Sequence, residues 1–270
     1  MTQSIEARAK LDDPTHKAEH AYKVSKFLMR CIFAMFAEDM ELLPKGGFLK
    51  LIELYKDTPQ RFHLAANDFF RTMDQGGHAP AIQADIRRFN GGLFHDNISV
   101  EITGDELNLL GKAAQRDWRN VEPAIFGTLL EQALSERERS KLGAHYTPRS
   151  YVERLVVPTI IEPLREDWEA VQPDAIGRLL ESGEPAAREV IKRFHDKLCD
   201  TLILDPACGT GNFLYVSLEL MKLLESEVLD FLKELGETSE PLRTVDPHQF
   251  LGIEKNPRAG PIAELVLWIG

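Results

Sequence analysis

Two places in this 270-residue chain combine residue types that suit a nucleoside ligand. The first is Asp205-Pro206-Ala207-Cys208-Gly209-Thr210-Gly211-Asn212-Phe213. Two glycines one residue apart let backbone N–H groups approach a ligand closely, and a helix that starts directly after them aims its free N–H groups the same way. The string lacks the third glycine of the dinucleotide fingerprint and the Gly-Lys-Ser/Thr of a phosphate-binding loop. The second place is Glu254, in Gly252-Ile253-Glu254-Lys255-Asn256. A carboxylate offers two acceptor oxygens, which matches the two hydroxyls of a ribose. Asp205 and Glu254 are 49 residues apart, more than the ~20 of the dinucleotide fingerprint, and an insertion around Glu234–Asp246 would account for the excess. A lone Gly-x-Gly marks many structural turns, and an isolated strand-end Glu is most often a solvated surface group. The length of the first string is what makes it specific.

These residues need a scaffold that brings the ends of two strands together, and the flanking pattern supplies one. Thr201–Pro206 is a short apolar run ending in Asp-Pro, which reads as a buried parallel strand. Gly209–Asn212 reads as a turn, Phe213–Leu235 as a long helix, Phe250–Glu254 as a second strand and Ala259 onward as a helix. Strand, glycine turn, helix, strand, helix is the opening of a Rossmann-like βαβ unit. Upstream, Gly143-Ala144-His145-Tyr146-Thr147-Pro148 reads as a loop, with Thr147 capping a helix to about Ile161. Glu162–Lys197 follows as helix interrupted near Gly183 and Pro185.

The front half reads as helices alone. Val24, Phe27, Leu28, Cys31, Ile32, Met35 and Phe36 recur at helical spacing between His20 and Leu43, and Pro44 with Gly46-Gly47 closes the run. Thr58-Pro59 reads as an N-cap and first helical residue, Asp74–Pro80 as a loop, and Thr103-Gly-Asp-Glu106 as a capping box opening a helix through Gln115. A further helix is expected from Glu122 or Pro123 to Leu134. The expected organisation is therefore α/β: an all-helical connector over residues 1–138, then the start of a Rossmann-like domain over 139–270.

Composition narrows the class. With 43% hydrophobic and 28% charged residues the chain is globular, and no run of 18 apolar residues proposes a membrane span. The first residues lack the apolar core of a secretory signal, so a cytoplasmic location is expected. Cys31, Cys199 and Cys208 form no CxxC pair and read as free thiols, with no metal site expected. The net charge is −11, with −3 in residues 1–140 and −8 in 141–270, so neither half shows the basic excess of a self-sufficient DNA-binding domain.

Asp205–Phe213 resembles motif I, the cofactor loop of adenine-specific DNA methyltransferases that use S-adenosyl-L-methionine (AdoMet). Gly143–Pro148 resembles motif X of the subclass in which that element comes first, and Gly252–Asn256 resembles motif II. Phe89-Asn-Gly-Gly-Leu-Phe94, Asp117-Trp118, Val121–Glu131, and Phe36–Asp39 before Leu42-Leu-Pro44 look like the connector of type IIL restriction–modification and related phage-defence methyltransferases. The resemblance covers roughly residues 21–270.

It implies AdoMet as cofactor, with His145, Tyr146 and Thr147, then Asp205, Pro206, Ala207, Cys208, Gly209, Gly211, Asn212 and Phe213, then Glu254 and Lys255, around it. It implies double-stranded DNA as the substrate, restriction or defence-system subunits as further partners, and no membrane. Such enzymes hold a flipped adenine with an Asn/Asp-Pro-Pro-Tyr/Phe tetrad. None occurs here; Asn256-Pro257 is followed by Arg258. A nuclease-like Asp followed by Glu-x-Lys is not found either. No catalytic residue is therefore assigned within these residues. The expectation is a cofactor half, inactive alone, and the alternative is a non-catalytic AdoMet-binding scaffold that completes a split enzyme or regulates a partner.

Overall fold

The computed structural model describes Ile5 and residues 14–89, 92–96, 98, 100–119, 121, 147–239, 241–256 and 259–269. The chain divides into two compact units, Met1–His145 and Tyr146–Gly270. The expected change of character at 138/139 and the expected helix from Glu122 or Pro123 lie outside the described residues.

The first unit is helical. Helix α1 spans Pro14–Asp39, α2 Gly47–Leu54, α3 Phe62–Gln75 and α4 Gly104–Ala114. Its core is aromatic: Phe27, Phe33, Phe48, Phe62, Phe69, Phe70 and Phe94 are all buried. Helix α1 buries more than the one stripe its periodicity announces, because Arg30 is also fully enclosed. Its Nε donates to Leu93 O at 2.7 Å, Nη2 reaches Asp96, and the guanidinium lies 5.9 Å from the ring centres of Phe70 and Phe94. Burying a cation in this way is stable only because it is paired and hydrogen-bonded. Helix α4 opens on the expected capping box, with Thr103 Oγ1 accepting from Glu106 N and Glu106 Oε2 accepting from Thr103 N.

Two local expectations fail here. Thr58 makes no side-chain cap, because Pro59–Arg61 forms a tight 3₁₀ turn and α3 begins only at Phe62. Within the expected Asp74–Pro80 loop, β1 (Gly77–Ala79) pairs antiparallel with β2 (Ala84–Ile86), so the connector is not purely helical. Strands of three residues are too short for an alternation of apolar and polar residues to register.

The second unit carries α5 (Arg149–Val156), a wide π turn over Val157–Ile161, α6 (Glu162–Ser182) and α7 (Glu184–Asp200). The helix expected to end near Ile161 runs on, since the wide turn accommodates Pro158, which has no N–H to donate. Pro148 itself holds the N-cap position, leaving Thr147 one residue too early to cap. Gly183, at φ +83, breaks α6 from α7, and Trp168 stacks on Phe194 at 5.2 Å to hold them together. Then β3 (Ile203–Asp205), α8 (Asn212–Glu234), β4 (Phe250–Gly252) and α9 (Gly260–Ile269) follow in order.

Strands β3 and β4 are parallel, with Leu204 opposite Leu251 and Asp205 opposite Gly252. Helix α8 connects them and packs on both, so this is the expected βαβ start. The 49-residue interval is filled by a 23-residue α8 and the connection from Leu235 to β4. The strand is not buried on both faces, however. Leu204 is 57% exposed and Leu251 46%, and Leu202 and Ile253 share their face. With two strands and α8 on one side, the sheet has no described element shielding these four side chains.

Candidate cofactor site

The chain past each strand end continues the ladder of backbone bonds. Ile253 N donates to Asp205 O at 2.9 Å and Cys208 N to Ile253 O at 3.1 Å. The Asp205 side chain closes the turn by accepting from Ala207 N at 2.9 Å. That bond is a short polar turn of the type Asp favours. Gly209 (φ +55) and Gly211 (φ +82) are both left-handed, which side-chain-bearing residues resist. A Cβ on Gly211 would also stand 3.0 Å from the Cα of Ala263, so α9 approaches too closely for anything but glycine. A Cβ on Gly209 would meet nothing within 4 Å, leaving open space over the loop.

Into this loop comes Glu254. Its Oε2 accepts from Gly209 N at 2.8 Å and its Oε1 from Asn256 N at 2.6 Å. The acidic residue at the end of β4 and the glycine loop at the end of β3 thus form one unit. A cavity of about 330 Å³ opens beside it, lined by Cys208, Phe250, Gly252, Glu254, Ala263 and Trp268. Cys208 is buried and its thiol is pushed up to about 11, first by burial and then by Asp205 and Glu254. A thiol so placed is no nucleophile at neutral pH. It is a packing residue of the loop.

The remaining expected residues divide by position. Thr147 reaches the same place, its carbonyl accepting from Asn212 Nδ2 at 2.6 Å. Pro206 and Ala207 are exposed at the tip of the turn, Phe213 is half-buried in the first turn of α8, and Lys255 is exposed beside Glu254. His145 and Tyr146 lie outside the described residues.

Two long-range side-chain contacts in this unit were not foreseen from the sequence. Arg149 makes a two-pronged ion pair with Glu219, 2.7 and 2.9 Å, across 70 residues. Buried His195 Nε2 lies 2.8 Å from Glu225 Oε1, which also accepts from Val245 N at 2.9 Å, with Cys199 Sγ 3.8 Å from the imidazole. The 2.8 Å spacing is that of a hydrogen bond. His195 and Glu225 therefore brace α7 to α8 through this buried contact.

Comparison with known proteins agrees with the resemblance read from the sequence. Residues 22–94 match the MmeI helicase spacer domain and residues 180–270 the MmeI DNA-methyltransferase domain. Both matches support a type IIL-like methyltransferase fragment. It is similar to the solved type IIL restriction–modification enzyme MmeI, determined in complex with DNA, with a TM-score of 0.75 at 25% identity over 99% of this chain and 34% of that one. It is also 26% identical over 248 residues to DNA methyltransferase A of Bacillus subtilis (strain 168), covering 90% of this chain and 27% of that protein. The type IIL-like chain thus spans about a quarter of its curated relative. Its strand–glycine turn–helix lies within the part that matches the methyltransferase domain. Among the described residues no helix is long and apolar enough to cross a membrane.

Proposed function

We propose that this chain supplies the AdoMet-binding half of a DNA methyltransferase that modifies adenine N6 in double-stranded DNA, within a type IIL restriction–modification or phage-defence system. The observation that carries the reading is the 2.8 Å bond from Gly209 N to Glu254 Oε2. It supports a single binding place, in which the glycine loop and the carboxylate proposed to take the ribose are held side by side. The open space over Gly209 leaves room for the methionine end of the cofactor.

When bound, AdoMet supplies an electrophilic methyl on a sulfonium. The residues here hold it: Asp205–Gly209 line the methionine end, Gly211 allows the turn, and Glu254 takes the ribose hydroxyls while keeping its bond to the loop. Transfer itself depends on aligning a weakly nucleophilic amine with that methyl. These 270 residues hold no Asn/Asp-Pro-Pro-Tyr/Phe tetrad to do so. Cofactor binding without transfer is the expected behaviour of the chain on its own.

Calorimetry against AdoMet tests the site. Wild type binds, Gly209→Val obstructs the methionine end, and Glu254→Ala removes both acceptors, costing roughly 1.5–3 kcal/mol for charge-assisted bonds. Equal binding by wild type and both variants refutes the assignment. Incubation with labelled AdoMet and mixed-sequence duplex DNA gives no transfer above background, and robust transfer by the chain alone would contradict the cofactor-half reading.

A further inference from the structure

Asn212 is the first residue of α8, directly after the glycine loop, and Glu219 stands seven residues on. Seven residues are two helical turns, so both side chains leave the same face, about 10 Å apart. Both reach the same short segment. Asn212 Nδ2 donates to Thr147 O at 2.6 Å, and Glu219 takes Arg149 Nη1 and Nη2 at 2.7 and 2.9 Å. Arg149 Nε is meanwhile held by Glu153 Oε1 at 2.8 Å, one turn along α5, which orients the guanidinium.

The segment needs such fixing. Pro148 offers no N–H, and the N-terminus of α5 has no side-chain cap. Nor does the Asn212 amide cap its own helix: Gly211 holds the N-cap position with no side-chain bond, and the buried Asn212 Oδ1 has no partner among the described residues. A buried amide oxygen left unpaired is costly. Asn212 therefore sits at this position at a cost to its own hydrogen bonding, and what it gains is the bond to Thr147.

We propose that Asn212 and Arg149 form a two-point latch that pins Thr147–Arg149 to α8 and so positions Thr147 beside the glycine loop for the cofactor. The inference rests on the AdoMet reading above. Neither residue is assigned contact with the reacting methyl; both act by holding the binding element in place before the ligand arrives. Preorganisation of this kind lowers the entropic cost of binding.

The test is calorimetric titration of AdoMet into the wild-type chain, Arg149→Glu, Glu219→Arg, the Arg149→Glu/Glu219→Arg double variant and Asn212→Asp. Asn212→Asp faces the Thr147 carbonyl with a second acceptor in place of a donor. Each single variant weakens binding about 3- to 10-fold, as loss of one or two net hydrogen bonds predicts. The loss appears in the entropy of binding, and the double variant recovers most of it. Circular dichroism and thermal melting check that each protein is folded. A merely structural pair would lower the melting temperature and leave the dissociation constant unchanged, and that result overturns the latch. So does a double variant that binds no better than Arg149→Glu. Failure of the folded wild type to bind AdoMet overturns the cofactor reading, whereas a wild type that binds while the variants match it overturns the latch alone.

Discussion

Cys208 Sγ stands 2.6 Å from the point a Cβ at position 252 would occupy, and Leu214 Cδ1 stands 3.2 Å from it. The absence of a side chain on Gly252 is what lets the cysteine of the loop lie across β4. Gly252→Ala forces the loop or the strand to move, and such overpacking costs about 1–3 kcal/mol. The Cys208→Ala/Gly252→Ala double variant removes the colliding sulfur and recovers much of the loss. Urea denaturation of Gly252→Ala, Cys208→Ala and the double variant measures the coupling, and additive losses would show that the two residues do not share the space.

The second expectation concerns the buried brace between α7 and α8. Removing Glu225 leaves His195 without its partner and the Val245 N–H without an acceptor. Leaving a buried polar group unsatisfied costs about 1–3 kcal/mol. Glu225→Leu should therefore lower the urea midpoint far more than Glu227→Leu, which removes only an exposed partner of Arg165. Equal shifts in the two midpoints would refute the brace.

Glu38 gives the helical unit a pH dependence. Its carboxylate accepts from Phe48 N at the start of α2, and burial, the largest influence, raises its pKa to about 7 from an ordinary 4.5. The folded state therefore holds this proton through a pH range in which the unfolded state has released it. Its contribution to stability falls as pH rises from about 4.5 to 7. Glu38→Gln keeps an acceptor for Phe48 N and cannot titrate. The wild type should lose stability relative to Glu38→Gln between pH 5 and 7, read by thermal melting at each pH. A difference that is constant across the window would remove Glu38 as the source.

Much of this was legible in the residues. Asp205–Phe213 announces strand, turn and helix together, because glycine pairs and helix starts have local causes. Thr103 and Glu106 announce the start of α4 for the same reason. Glu254 is legible as chemistry, yet its bond to Gly209 arises from strand pairing across 45 residues. The Arg149–Glu219 and His195–Glu225 pairs carry no local signal, since each residue alone reads as an ordinary helix charge or a core histidine. The three-residue strands of the connector were invisible because pattern needs length. The helix expected to end near Ile161 continues because the wide turn over Val157–Ile161 joins α5 to α6.

Leu202, Leu204, Leu251 and Ile253 have a bearing on the life of the chain as it is made. Synthesis from the N-terminus releases α1–α4 first, and their aromatic core closes among elements already in hand. The β3–β4 ribbon emerges later with four branched aliphatic side chains facing water. Exposed apolar surface of this kind is prone to association during folding. The cofactor loop is carried by this ribbon. Its maturation thus comes after that of the helical unit, and the yield of soluble protein should fall with concentration through the ribbon, leaving the connector unaffected.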